Sequence, residues 1–375
     1  MSGRFPAPPT SRKSRWLVVA FILALVGFTF LCWRDASRPP VRPAAGGTFT
    51  GRDVDGRLVY VNLFALESGW QGWLYRDGKE QAAWFFTTNR AHRWQATFNE
   101  REHEEFLTTA EPILASAVAS TVASTADVAK LNATFPRQAG ATRETVSLTR
   151  QFEHLSYRRL AGVRLGRVGG TKEYLAQFPR LTEAGPFTAA VNREILRQCE
   201  EDAAEFTSEP FEFWKTMIQI RGLPGFNQHE LTANWQLRLL TTNLASFSVW
   251  SYDATGGNGN HSHWRGANFL WEAGYLRIIP LDELFRTNLE WQAELRTRCV
   301  PKLKMIGAPK PEAVLEQDVT LEVFTLSPTG LQIYFNPYAI ASGAHGEFVV
   351  HFGYGELKDL LRTNGPAALL PTSRN

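Results

Sequence analysis

The C-terminal part of the sequence, from Phe324 to Leu357, alternates apolar and polar residues in the pattern of β-strands. A short apolar run leads into the turn Pro328-Thr-Gly330. A second alternating run and a shorter return run follow this turn. Strands joined by such short turns pair in the antiparallel sense. The pattern therefore predicts an antiparallel β-meander in this region.

The spacing of these residues resembles a bacterial envelope family, the RsiV-type domain of unknown function 3298. Domains of this family occur in the lysozyme-sensing anti-sigma-V factor and beside the catalytic domain of some peptidoglycan deacetylases. One departure is that Ser342 and Gly343 stand where the family usually has Pro-Tyr. The positions that match the family pattern are Gly330, Leu331, Ile333, Phe335, Tyr338, Ile340, Ala341, Gly346, Tyr354, Glu356 and Leu357.

A second block, from Phe247 to Phe285, also resembles this family. It departs from the family pattern by two residues inserted between the glycine pair at 256–257 and His261. Further upstream, Phe187 to Arg197 resembles a helix of the 4163-like domain that usually comes first. The resemblance covers roughly residues 150–362. It implies an extracytoplasmic module that binds or senses a ligand.

Residues Trp16 to Trp33 contain no charged side chain. Eighteen helical residues at about 1.5 Å each span about 27 Å, close to the roughly 30 Å hydrocarbon core of a bilayer. The flank before this segment carries Arg and Lys without an acid, whereas Asp35 offsets the Arg residues after it. This bias favours a body outside the membrane. We expect a single-pass signal anchor in the inner (cytoplasmic) membrane; a cleaved signal peptide or a lipoprotein modified at Cys32 are the alternatives.

The fold class expected for the whole chain is α+β: a transmembrane helix, a β-rich meander domain, and an antiparallel sheet packed with two main helices. A Pro- and Arg-rich stretch separates the anchor from the body. Such a stretch suits neither a helix nor the hydrogen-bond ladder of a β-sheet. The predicted segments are a short cytoplasmic tail at 1–15, the anchor at 16–33, a linker at 34–47, a β-rich domain at 48–150, an RsiV-like domain at 151–366 and a disordered tail at 367–375.

The composition is that of a globular body, with 44% apolar and 21% charged residues. The formal net charge of +3 is spread along the chain, without a basic block beyond the membrane flank. A nucleic-acid partner is therefore not expected. The expected partners are an envelope protein or a cell-wall ligand, and the membrane itself through the N-terminal helix.

Short alternating runs between Phe49 and Phe98 predict a second β-meander, with a hairpin signal at Asp77-Gly78. The tryptophans of these runs could stack on carbohydrate, but aromatic residues at alternating strand positions more often form cross-strand core. The favoured interpretation is core packing. These tryptophans are Trp70, Trp73, Trp84 and Trp94.

Two helices are predicted in the family-like region. In the first, from about Phe187 to Phe206, apolar residues recur every four positions, so one face is buried. The second begins at about Leu281 and continues towards Cys299. Cys199 and Cys299 each fall on an apolar stripe, which favours two buried thiols over a disulfide.

No catalytic constellation is recognisable, so the protein is not expected to be an enzyme and no cofactor is implied. His261 and His263 share a strand face and could chelate a metal, but zinc needs at least a third ligand. That ligand would have to come from His345, Glu347 or His351. A loop-bracing hydrogen bond is the favoured role for the pair, and no metal site is predicted.

The glycine- and asparagine-rich segment from Gly256 to Trp264 forms an adaptable tip between two strands, flanked by aromatic residues. Such a loop suits protein recognition, although simple hairpin construction, which needs no partner, is the favoured explanation. The turn from Ser342 to His345 is the second candidate contact. The predicted binding residues are Asn258, Asn260, His261, His263, Trp264, Tyr338 and His345.

The favoured function is a membrane-anchored extracytoplasmic binding or sensing module of the bacterial envelope. The alternative is an accessory or catalytic protein of peptidoglycan modification. In the deacetylase relatives, catalysis belongs to a separate zinc domain whose motifs this sequence does not show. An anti-sigma role is not expected, because only fifteen residues precede Trp16.

Overall fold

The computed structural model describes residues 41–65, 70–76, 83–87, 94–95, 107–108, 130–136, 143–165, 168–182, 185–208, 228–255 and 258–370. The predicted cytoplasmic tail and membrane segment lie outside these residues. Within these ranges, no helix has the length and apolarity needed to cross a membrane. At the C-terminal end, Ala367 and Leu370 are buried, so the structure extends into the stretch predicted as a disordered tail.

The described residues form mostly β-sheet with two α-helices, consistent with the predicted α+β class. Helix α1 spans Pro186–Ser208 and helix α2 spans Trp291–Met305. Short 3-10 turns lie at Leu281–Leu284, Pro311–Leu315, Gly343–His345 and Gly365–Leu369. The strands are β1 Val41–Arg52, β2 Leu58–Ala65, β3 Trp70–Arg76, β4 Ala83–Thr87, β5 Trp94–Gln95, β6 Leu107–Thr108, β7 Lys130–Pro136, β8 Arg143–Leu165, β9 Val168–Pro179, β10 Gln228–Leu240, β11 Leu244–Thr255, β12 Asn258–Glu272, β13 Tyr275–Ile278, β14 Phe324–Leu326, β15 Gly330–Phe335 and β16 Phe348–Gly353.

Eleven of the described strands join in one large sheet. Its order is β13-β12-β11-β10-β9-β8-β1-β2-β3-β4, and β7 pairs with β8 beside this path. The pair β9 and β10 is parallel, and the connection between them contains α1, because a parallel pair needs a crossover. Strand β8 runs across residue 150, so the sheet includes strands from both predicted domains. The domain boundaries stay a prediction.

Strand β1 begins inside the stretch predicted as a linker, 34–47. Among the described residues, Val41 to Ala44 pair with β8, and pairing with β2 begins at Gly47. Pro43 pairs with Leu155 of β8, and the described strands leave the other side of this part of β1 unpaired, which is where sheets tolerate proline. A register shift between Ala44 and Gly47 follows. From Val41 onward, the stretch predicted as a linker is therefore part of strand β1 and contains a β-bulge.

Helix α1 covers one face of the large sheet, which we name the outer face. Val191, Ile195 and Cys199 recur every four residues and are fully buried, which confirms the predicted helix and its apolar stripe. The sheet residues that pack in the same core are apolar side chains of β9 to β12, namely Tyr174, Ala176, Phe178, Ala233, Trp235, Leu237, Phe247, Val249, Ala267 and Phe269.

The cysteines of the two helices are free and buried, as the sequence favoured. Cys199 belongs to α1 and Cys299 to α2. Burial raises the pKa of each thiol to about 12, so both stay protonated at neutral pH. They therefore act as small packing groups rather than as nucleophiles.

Strands β14, β15 and β16 form a small antiparallel sheet in sequence order, which confirms the predicted C-terminal meander. Helix α2 packs Leu295, Cys299 and Leu303 into the same core as this sheet. The hairpin between β11 and β12 is also confirmed, since Thr255 pairs with Asn258. The predicted tip from Gly256 to Trp264 is wrong in its extent, because the residues from Asn258 onward already belong to strand β12.

The second predicted helix is interrupted. Leu281–Leu284 is a 3-10 turn, and α2 begins only at Trp291. Between them the backbone bonds to a distant segment: Arg362 N–H donates to the Leu284 carbonyl at 2.9 Å, and Arg286 N–H donates to the Leu360 carbonyl at 2.9 Å. These bonds take the place of helical ones, so the apolar spacing that predicted one continuous helix was misleading.

The large sheet curls so that strands far apart in its order meet across its other face, the inner face. The ring of Trp73 on β3 lies 5.1 Å from that of Trp250 on β11 and 6.4 Å from that of Trp264 on β12, centroid to centroid. Asn234 Nδ2 on β10 donates to Gln71 Oε1 on β3 at 3.4 Å. Because β9, β8, β1 and β2 lie between these strands, the contacts require a strongly twisted and rolled sheet.

The small sheet packs against β11 and β12. Side chains of these two strands form hydrogen bonds with backbone N–H and carbonyl groups of β14. Ser246 Oγ accepts the Leu326 N–H at 2.8 Å and donates to Asn268 Oδ1 at 2.6 Å. Asn268 Nδ2 donates to the Phe324 carbonyl at 3.0 Å. Buried backbone polar groups need such partners. We name this contact, made by Ser246, Gly266 and Asn268 with Phe324 and Leu326, the docking contact.

Gly266 lets the two backbones approach. A Cβ at this position would lie 1.8 Å from the carbonyl oxygen of Phe324 and 2.8 Å from its carbonyl carbon. The obstacle is backbone, which cannot move aside as a flexible side chain could. The docking contact therefore requires glycine at this position for space rather than for backbone conformation.

Gly266→Ala is therefore expected to lower the free energy of unfolding by about 1–3 kcal/mol or more, because the methyl group overpacks the docking contact. The measurement is urea unfolding followed by circular dichroism. Gly162→Ala in β8 is the matched control, since a Cβ there meets nothing within 4 Å. The control should be neutral or slightly stabilising. Equal effects of the two substitutions would contradict the account.

Candidate functional site

The two segments predicted for recognition meet around Glu347. Its Oε2 accepts a hydrogen bond from Ser262 Oγ at 3.0 Å, and its Oε1 accepts one from Trp264 Nε1 at 3.1 Å. Ser262 and Trp264 belong to β12, whereas Glu347 follows the turn at 342–345. One carboxylate therefore holds strand β12 beside the turn at 342–345, although the two are far apart in sequence.

Asn336 joins the same strand to the loop after β15. Its Oδ1 accepts the Trp264 backbone N–H at 2.7 Å, and its Nδ2 donates to the Trp264 carbonyl at 3.0 Å. The Asn336 side chain thus bonds to the backbone as a neighbouring β-strand would. It satisfies both the N–H and the carbonyl of Trp264. Two side chains, Asn336 and Glu347, fix this loop and the following turn to β12.

Tyr338 lies two residues beyond that anchor and is held in a rare conformation. Its φ is +71°, in the left-handed region that L side chains other than Asn and Asp seldom adopt. Its side chain is 64% exposed. A left-handed non-glycine residue costs of order 1–3 kcal/mol and persists only where the surrounding structure enforces it. An exposed aromatic residue at such a position is a candidate contact for a partner.

Trp264 is a support of this surface rather than part of its exposed area. It is 7% exposed and packs with Phe64, Trp73 and Tyr334 in one cluster. Its ring centroid lies 5.1 Å from that of Tyr334 on β15. The ring therefore connects the large sheet to the small one, and we expect its direct contact with a partner to be minor.

Aromatic rings reach the surface beside this cluster. Trp250 and Tyr252 on β11 stack with their planes 2° apart and their centroids 5.6 Å apart, and both are half-buried. Trp250 and Trp264 are directly paired across β11 and β12, so they project from the same face. The exposed Tyr338 and the half-buried Trp250–Tyr252 stack give the candidate surface its aromatic character.

The predicted histidines take different positions. His263 is exposed, and its carbonyl accepts a hydrogen bond from Ser251 Oγ at 3.2 Å. His345 is exposed and pairs with Ser342, Nδ1 to Oγ, at 2.8 Å. The backbone of Asn258, Asn260 and His261 belongs to β12, but their side chains lie outside what the structure describes.

The possible third metal ligands are engaged elsewhere. Glu347 accepts the two hydrogen bonds described above, and His351 is buried, where desolvation and the nearby Lys302 lower its pKa to about 4. The His351 ring packs at Gly330, whose Cβ would meet it at 2.7 Å. In the part of the chain that the structure describes, no three His, Cys, Asp or Glu side chains are grouped as metal ligands would be.

We name the surface formed by Ser262, Asn336, Tyr338, His345 and Glu347 the junction surface, because it lies where the large and small sheets meet. Sequence reasoning identified Tyr338 and His345 but missed Asn336 as an organising residue. Its signal was present in the turn-forming Asn336-Pro337 pair that directly follows β15. What the sequence does not show is that the amide reaches back across 72 positions to Trp264.

A model of a protein family matches part of the chain. Residues 282–355 match a family described as "Protein of unknown function (DUF3298)". In this structure the matched residues contain α2 and the small sheet, together with Asn336, Tyr338 and Glu347. The match begins after β10 to β13, so the RsiV-type character and the 4163-like domain remain predictions.

Two solved structures of DUF3298 family proteins are similar to the chain. One is from Bacteroides fragilis, with 14% identity and a TM-score of 0.42, covering 60% of this chain and 98% of that chain. The other is from Pseudomonas aeruginosa, with 14% identity and a TM-score of 0.36, covering 58% of this chain and 96% of that chain. No curated protein matches the chain.

Trp264→Ala is expected to lower the free energy of unfolding by about 3–5 kcal/mol, because a buried ring and its cavity-filling contacts are lost. Urea unfolding of the variant measures this. Trp264→Phe keeps most of the ring volume and removes only the donor to Glu347, so it should cost clearly less. Stability close to that of the original protein for Trp264→Ala would show that the ring is not part of the core.

Proposed function

We propose that this protein is a membrane-anchored extracytoplasmic binding or sensing module of the bacterial envelope, without catalysis of its own. Its DUF3298 domain presents the junction surface to an envelope protein, and Tyr338 is the central contact. The proposal rests chiefly on the exposed Tyr338 at φ +71°, held next to a loop that Asn336 fixes to β12. Backbone strain that the fold maintains is typical of functional positions.

The chemistry of the junction surface suits a protein partner. Tyrosine contributes a large amphipathic contact area, and few rotatable bonds are immobilised when it binds. Here the two flanking segments are already fixed by Asn336 and Glu347, so little ordering remains to be done on binding. His345, Ser342 and His263 are exposed polar groups of the kind found at the rim of interfaces.

The location in the envelope is supported by the uncharged Trp16 to Trp33 segment with its basic leading flank. The resemblance to extracytoplasmic domains of the RsiV type agrees with that placement. The accessory role in peptidoglycan modification is the weaker proposal, since the exposed aromatic and polar groups of the junction surface favour contact over chemistry.

The test begins with the full chain as bait in an envelope extract, followed by affinity measurement with the captured protein. Tyr338→Gly should weaken binding at least about tenfold, as loss of an aromatic anchor does. The same change should leave stability equal or higher, because glycine adopts a positive φ without strain.

Tyr275→Ala is the control, because this tyrosine is 56% exposed on β13, outside the junction surface. Its affinity should equal that of the original chain. The proposal fails if Tyr338→Gly and Tyr275→Ala bind alike, or if the full chain captures nothing from the extract.

A further inference from the structure

Strand β13 lies at one end of the large sheet, and its hairpin with β12 fixes which of its backbone groups point outward. Glu272 pairs with Tyr275 across a two-residue turn, 273–274, whose φ values are 51° and 86°. Two positive φ values in such a turn are typical of type I′, and the residues that flank it exchange hydrogen bonds. Bonded and unbonded pairs alternate along an antiparallel ladder. Leu276 and Ile278 therefore direct their N–H and carbonyl groups away from β12.

Two other hydrogen bonds agree with this assignment. The Ile279 N–H donates to the Asn268 carbonyl on β12 at 2.8 Å. The Trp271 N–H donates at 2.8 Å to the carbonyl of Asn243, which directly precedes β11. Trp271 is opposite Leu276 and thus bonds away from it. Four backbone groups of β13 face the open side, and none of the strands that the structure describes pairs with them.

The apolar layer of the outer face continues onto β13 and is open there. Leu276 is partly buried against the core that α1 covers. Ile278 projects from the same face but is 55% exposed. Behind these residues, Trp271 packs against Phe187 of α1, with the ring centroids 6.4 Å apart. The layer therefore ends in apolar side chains that are only partly covered.

Strand β13 has few of the features that keep an exposed edge from pairing. Natural edge strands are short or are blocked by Lys, Pro or a bulge. Tyr275–Ile278 is short, but it contains neither Lys nor Pro and pairs with β12 without a register shift. Arg277 is held by two carboxylates, with Nε 3.0 Å from Glu272 Oε2 and Nη1 2.7 Å from Glu283 Oε2. The edge can therefore accept a further strand.

We propose that this further strand is β13 of a second copy of the chain, paired antiparallel about a two-fold axis at Arg277. In this register Leu276 of each copy lies opposite Ile278 of the other. The four outward backbone groups of one copy then bond to those of the other. The exposed Ile278 is covered by Leu276 of the second copy on the same face. A two-fold contact is closed, so it produces a dimer rather than a filament.

Two features favour a second copy over an unrelated strand. Pro280 has no N–H and ends the edge just beyond Ile279, so the strand available for pairing is short and centred on Arg277. The two Arg277 side chains lie opposite each other in this dimer. Each is neutralised by its own Glu272 and Glu283, so the repulsion between them is small. The edge is separate from the junction surface and does not depend on the proposed protein partner.

Disulfide trapping of the full-length chain in detergent tests the pairing. The parent is a Cys32→Ser variant, because Cys199 and Cys299 are buried. Arg277→Cys in this parent should form a covalent dimer under a mild oxidant, since Cα atoms in such an unbonded pair lie about 4.5 Å apart, within disulfide range. Val54→Cys is the control for random collision, because Val54 is 64% exposed between β1 and β2. Trapping should be at least about tenfold faster for Arg277→Cys.

Ile278→Lys tests the same contact with Arg277 in place. It introduces a charge into the apolar contact between the copies, so the dissociation constant of the dimer should rise at least about tenfold in sedimentation experiments. The melting temperature at a concentration where the original chain is monomeric should not change, because Ile278 is 55% exposed. Leu160→Lys is the matched control, at a residue of β8 that is 58% exposed. It should dimerise like the original chain.

The proposal is wrong if Arg277→Cys is trapped no faster than Val54→Cys, or if Ile278→Lys and Leu160→Lys dimerise equally. It is also wrong if, in intact cells, Arg277→Cys is trapped with a different protein and not with a second copy, because the edge would then serve another partner. None of these readouts involves Tyr338, so failure of the proposed protein recognition would not affect them.

Discussion

The docking contact between β14 and the large sheet determines much of the remaining structure. Two side chains, Ser246 and Asn268, satisfy the backbone edge of β14, and Gly266 leaves room for the Phe324 carbonyl. This contact fixes the distance between the two sheets. That distance allows Trp264 to pack against Tyr334 and Glu347 to reach Ser262. The junction surface is thus a consequence of how the small sheet is attached.

The two faces of the large sheet differ in the side chains that they carry. The outer face is apolar and buries the α1 stripe, which supplies the ordinary hydrophobic stabilisation of the domain. The inner face carries aromatic and polar side chains, which contribute less to stability because their hydrogen-bonding groups must be satisfied.

Local sequence patterns predicted the elements but not their assembly. The C-terminal meander, the hairpin at 256–257 and helix α1 were predicted because alternation and four-residue spacing are properties of neighbouring residues. The burial of Trp264 and the break at Phe285 were not, because each depends on partners more than seventy positions away. The curl of the sheet is equally non-local. Of the candidate site, Tyr338 and His345 were predicted, whereas Asn336 was recognised only from its contacts.

The most direct test of the account is hydrogen exchange in a Ser246→Ala variant, followed by mass spectrometry of peptides. The substitution removes the acceptor of the Leu326 N–H and the donor to Asn268. If the docking contact holds the junction surface, exchange will rise in the peptide with β14 and also in the peptides with Trp264 and Glu347. Faster exchange confined to β14, with the junction peptides unchanged, would contradict the claim that the surface depends on this contact.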